Sequence, residues 1–86
     1  MYKLEDGMQD VLKAWEKITS GQYHGQTCGR AHGHYKACRI LRRKAHAVQT
    51  DVSQSPEVRN DARILARDLV AHYKDIQDFL ASKGCR

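Results

Sequence analysis

The sequence predicts an all-α fold: a small antiparallel three-helix bundle, with a short N-terminal helix packed on a long α-hairpin. Three observations carry that expectation. Apolar residues recur in steps of three and four in three separate stretches, the spacing of one buried helix face. Only Ser53-Gln54-Ser55 separates the second stretch from the third, so those two helices must fold back on each other. Their apolar seams then pair without slip: Val52 meets Val58, Leu41 meets Leu69, Cys38 meets His72 and Ala31 meets Phe79.

The first helix is expected over about residues 5–19. Leu4, Met8, Val11, Trp15 and Ile18 form its stripe, and Leu12 widens it. Glu5, Asp6 and Asp10 near its start and Lys17 near its end follow the polarity that the helix dipole favours. Gly7 weakens the first turn, and Gly21 supplies the left-handed stop. A glycine-rich loop follows over 21–30, and the second helix is expected from about Ala31 to Val52, although Gly33 weakens its first turns and Thr27 could cap an earlier beginning. Ser55 as N-cap, Pro56 at the first helical position and Glu57 behind it open the third helix sharply. It runs to about Lys83, where Gly84 ends it. The first helix is expected on the flank of the hairpin formed by Tyr35 and Tyr73, with Trp15 against the tyrosines. On the other flank Asp61, Asp68 and Asp75 repeat every seventh residue, and Lys44 is expected to meet Asp68.

A chain of 86 residues makes one domain, residues 1–86, with a small core. Pairing into a homodimer or binding an ion is a natural way to stabilise such a core. No apolar run approaches the ~20 residues that cross a bilayer, and the start Met1 to Asp6 lacks an export-signal pattern. Three cysteines, an odd number, then point to reduced thiols and a cytoplasmic setting, with Cys85 hanging free near the end.

Charge is the most informative feature for function. The net +5 is concentrated around the second helix, because no acid lies between Glu16 and Asp51 while seven Lys and Arg residues do. On that helix His32, Lys36, Arg39, Arg43 and His46 line up in steps of three and four, and Arg42 and Lys44 lie beside them. Solvated helices often carry charge, but usually with acids interspersed at i, i+4; here none interrupts the row. Arginine on a rigid helix suits phosphate through its planar fork of donors. The row is therefore expected to meet nucleic-acid phosphate, or a complex that handles nucleic acid. No recognition-helix turn or aromatic RNA-reading motif is present, so base-specific reading is not expected. The alternative is an adaptor or inhibitor, in the style of phage or mobile-element accessory proteins, docking on an acidic patch of a larger protein.

Catalysis finds little support. There is no phosphate-binding glycine loop after a strand, no H-E-x-x-H and no G-x-S-x-G. A metal module has more. Cys28, His32, His34 and Cys38 do not have a common zinc spacing, and His32 and His34 point about 200° apart on a continuous helix. His34 and Cys38, however, lie one turn apart on the seam, with His72 opposite. Those three could converge on zinc, with Cys28 or His24 brought in by the loop as a fourth ligand. The plainer reading is a small core cysteine beside two hydrogen-bonded seam histidines. No organic cofactor is implied.

Overall fold

The computed structural model describes residues 4–85, and the side chains of Leu4 and Glu5, expected in the first helix's seam and first turn, fall outside that description. The fold is three helices and, among the described residues, no strand: α1 (Leu4–Thr19), α2 (Thr27–Thr50) and α3 (Pro56–Ser82). The long α2–α3 hairpin is antiparallel, and its seam is buried where the spacing demanded. Ala31, His34, Cys38, Leu41 and Ala45 of α2 face Ala62, Leu65, Leu69, His72 and Ile76 of α3. Burying this apolar stripe is the main source of stability in a chain this short. The seam ends sooner than expected at the turn, since Val52 is 84% exposed.

Two boundaries differ from expectation for local reasons. Helix α2 begins at Thr27 rather than near Ala31, so the glycine-rich loop shrinks to residues 20–26. Gly29 and Gly33 stand on open helix faces with nothing within 4 Å of an added Cβ, and the helix simply runs through them. Thr27 helps the start by donating from Oγ1 to the Tyr23 carbonyl at 2.9 Å. At the other end α2 stops at Thr50 because Asp51 takes an extended conformation. The Asp51 carboxylate then accepts hydrogen bonds from the Ser53 amide and hydroxyl, a side-chain turn that replaces the helical ladder. The Ser55 cap forms as read, accepting from the Val58 amide at 3.3 Å.

The placement of α1 overturns the sequence expectation. It does not cover the tyrosine flank. Its Gly7, Asp10, Val11 and Ala14 line a cleft with Ala37, Ile40, Leu41 and Lys44 of α2. Met8 and Gln9 line another with Asp61, Ile64, Leu65 and Asp68 of α3. Helix α1 therefore lies on the acidic flank. Trp15 meets His34, His72 and Phe79, with ring centroids 5.1 to 5.3 Å away, instead of the tyrosines. A stacked indole covers the two imidazoles that seam spacing alone leaves at the core edge, which supplies a physical reason for this choice.

The cysteines depart further from expectation. Cys28, at the start of α2, forms a disulfide with Cys85, just beyond α3, across a Cα separation of 5.5 Å. Cys85 is thus tied down and half-buried rather than free. Cys38 is the free cysteine, and it is buried.

Candidate functional site

Two constellations merit attention: a basic groove on the uncovered flank and a buried imidazole–thiol cluster in the seam. With α1 on the acidic flank, the other side of the hairpin lies open. Arg39, Arg42, Arg43, His46, Ala47 and Gln49 of α2 line a groove there with Ala66 and Tyr73 of α3. Tyr35 and Tyr73 lie side by side, with ring centroids 5.1 Å apart. The Tyr73 hydroxyl is held by donating to the Cys38 carbonyl at 3.1 Å. Burial pushes that phenol up, while the positive charges of Arg42 and Arg39 oppose the rise. Arg59 of α3 donates from Nε to the carbonyl of Gln49, one of the lining residues, at 2.9 Å.

Arginines 39, 42 and 43 are exposed, and none has an ion-pair partner among the described residues. The one ion pair there, Arg67 with Asp68 at 3.8 Å, lies between exposed side chains outside the groove. The expected Lys44–Asp68 contact is not formed, and Lys44 borders the α1 cleft instead. Lys36 and His46 are exposed. His32 departs from the exposed row: it is half-buried, and its Nε2 has no hydrogen-bond partner among the described residues. Of the expected basic row, then, Arg39, Arg42, Arg43 and His46 come together in one groove, while Lys36, Lys44 and His32 do not line it.

In the seam, His34 Nε2 lies 2.9 Å from His72 Nε2 and 3.6 Å from Cys38 Sγ. All three ligand-type atoms fall within 4.8 Å of one another. Helix α2 supplies two of them one turn apart, and α3 supplies the third from the facing position. The four-residue set drawn from the loop and seam does not assemble. Cys28 is consumed by the disulfide and cannot offer a thiolate, and His24 is exposed in the loop.

Burial controls the protonation of this cluster. It pulls the His34 imidazole down to about 4, with the neighbouring His72 adding to the effect. His72 is lowered for the same reason, against an opposing pull from Asp75. The Cys38 thiol is pushed up to about 11. At neutral pH the site therefore holds two neutral imidazoles and a thiol.

This predicts an acid sensitivity whose sign is fixed. An unfolded histidine titrates near ~6.5, so below that pH the unfolded chain binds a proton that buried His34 refuses. Stability is expected to fall as pH drops from about 6.5 towards 4. The loss from His34 alone is ~2 kcal/mol between pH 7 and pH 5, with chelator present. Urea denaturation at the two pH values measures it; equal midpoints would mean that His34 is accessible to protons in the fold.

The tyrosine floor of the groove and the Trp15 cover were not identifiable as site components from spacing alone, because both depend on which flank α1 takes. No known protein family, curated protein or solved structure matches this chain.

Proposed function

We propose that the protein is a non-catalytic binding protein whose α2 face holds nucleic-acid phosphate without reading bases. The observation that carries this reading is the packing of α1 on the acidic flank, which leaves Arg39, Arg42 and Arg43 open and unpaired beside His46. A rigid helix presents the three guanidinium forks at fixed spacing, and phosphate oxygens satisfy such forks with two hydrogen bonds each. The groove floor of Ala66 and Tyr73 is apolar and neutral, so it adds contact area without repelling an anion.

The test is binding to several unrelated DNA and RNA sequences at two salt concentrations. Neutralising about four phosphates gives a log–log salt slope of about −3 to −4, so affinity should drop roughly 100-fold between 50 and 200 mM salt. Arg39→Glu combined with Arg43→Glu is expected to abolish binding with little change in helicity, since both side chains are exposed. Lys44→Glu, on the far flank, should cost much less. Absence of wild-type affinity even at low salt would defeat the reading.

A second reading, docking on an acidic patch of a larger protein, draws on the same apolar floor, which phosphate does not need. Capture from lysate with and without nuclease separates the two, because only a protein partner survives nuclease. Among the described residues no helix is long and apolar enough to cross a membrane. The cytoplasmic setting expected from the cysteine count requires the Cys28–Cys85 bridge to resist the reducing poise found there. Alkylation of thiols at the moment of lysis, followed by a count of modified cysteines, decides that point.

A further inference from the structure

We propose that His34, Cys38 and His72 bind one zinc ion through the two Nε2 atoms and the Cys38 sulfur. The inference stands apart from the basic groove and rests on the geometry of the seam. Zinc takes imidazole nitrogen at about 2.0–2.1 Å and thiolate at about 2.3 Å, so a tetrahedral centre sets N···N near ~3.3 Å and N···S near ~3.6 Å. The two closest separations here are 2.9 and 3.6 Å. No pair exceeds 4.8 Å, so closing all three atoms on an ion requires the widest pair to approach by at most about 1.2 Å.

The hydrogen-bond pattern without an ion is overcommitted. Both close contacts converge on His34 Nε2. That nitrogen carries either one lone pair or one hydrogen, and it must divide it between His72 and Cys38. A cation among the three atoms removes the conflict, since each then presents its own lone pair to the metal. On coordination the Cys38 thiol proton passes to solvent and a zinc–thiolate bond forms.

The donor set selects the class of ion. Two imidazoles and a thiolate suit zinc, whereas calcium and magnesium require oxygen ligands. Surrounding apolar residues, among them Leu41, Leu69 and Ile76, leave the three donors without competing carboxylates in the core. Trp15 stacks on His34 and meets His72 edge-on, fixing both rings from the α1 side. His34 also borders the cleft between α1 and α2, which gives an ion a route inwards. Three protein ligands leave one coordination position for a small exogenous ligand such as water.

The experiment uses the whole chain, refolded with its disulfide formed, in the presence of one equivalent of Co(II) as the spectroscopic substitute for zinc. The wild type is expected to show a saturable thiolate-to-cobalt charge-transfer band at one equivalent. Its single tryptophan, Trp15, should lose fluorescence in parallel, because the paramagnetic ion would sit against its ring partners. Zinc should displace the cobalt and raise the melting temperature by at least about 10 °C at a hundredfold excess over Kd. Cys38→Ala should lose the band entirely while keeping its helicity. Absence of the band in the wild type, or its persistence in Cys38→Ala, overturns the proposal. A third measurement needs no variant: with Cys28 and Cys85 bridged, Cys38 is the free thiol, and zinc should slow its alkylation at least tenfold where magnesium does not. Equal alkylation rates with and without zinc also overturn it.

Discussion

Reduction of the Cys28–Cys85 disulfide is expected to lower the melting temperature by about 15–30 °C. The bridge joins residues 57 positions apart, from the start of α2 to just past the end of α3. Closing a loop of that size removes conformational entropy from the unfolded chain worth ~4 kcal/mol in the chain-entropy account. Total stability for a small domain is of order 5–15 kcal/mol, so this one bond accounts for a large share. The bridge also closes the open end of the hairpin, opposite the Ser53–Ser55 turn, where α2 and α3 would otherwise fray. Cys28→Ser with Cys85→Ser should reproduce the effect of reductant, and hydrogen exchange should quicken first at the start of α2 and the end of α3. Melting within a few degrees of the oxidised protein would mean that the seam alone closes that end.

How much of this could be read from the chain follows from which forces are local. The seam was legible because helix periodicity and a three-residue turn fix the pairing of α2 and α3; His34, Cys38 and His72 meet as that pairing requires. The Ser55–Pro56 start and the Gly21 and Gly84 stops were legible for the same reason: caps and positive φ are properties of a few neighbouring residues. The flank chosen by α1 was not. Both flanks of the hairpin offer aromatic or apolar residues, and the decision turned on Trp15 reaching the imidazoles rather than the tyrosines, a tertiary preference with no signature in spacing. The disulfide was partly within reach. Extending the seam pairing one turn past Ala31–Phe79 brings Cys28 level with Ser82, three residues from Cys85. Counting three cysteines and expecting reduced thiols obscured that proximity. The basic row was legible as a stripe, but spacing did not show where the groove would end: His32 is the row's first residue, seven positions and roughly 10 Å along the helix from Arg39, while Lys44 is turned about 100° from the row towards the α1 cleft.

Leu69→Ala is the second substitution with a large expected effect, at ~2–5 kcal/mol. Leu69 is 0% exposed and clusters with Cys38, Leu41, Leu65 and Ile76, so its removal leaves a cavity that the surrounding packed side chains can close only in part. The neighbouring Val70 is 47% exposed, and Val70→Ala should fall within about ±0.5 kcal/mol, helped by the better helix propensity of alanine. The contrast between adjacent positions tests the register directly, because a one-residue rotation of α3 would exchange the two outcomes. Leu69 lies sixteen residues from Cys85, roughly 24 Å along the helix, far enough for its effect to add to that of the disulfide. The two losses together reach about 6–9 kcal/mol, in the range of the whole stability of a domain this size. Reduced Leu69→Ala is therefore expected to lose its cooperative thermal transition, while the oxidised variant keeps one at a lower temperature. A cooperative melt in the reduced variant would place the main stabilising contacts elsewhere than the α2–α3 seam.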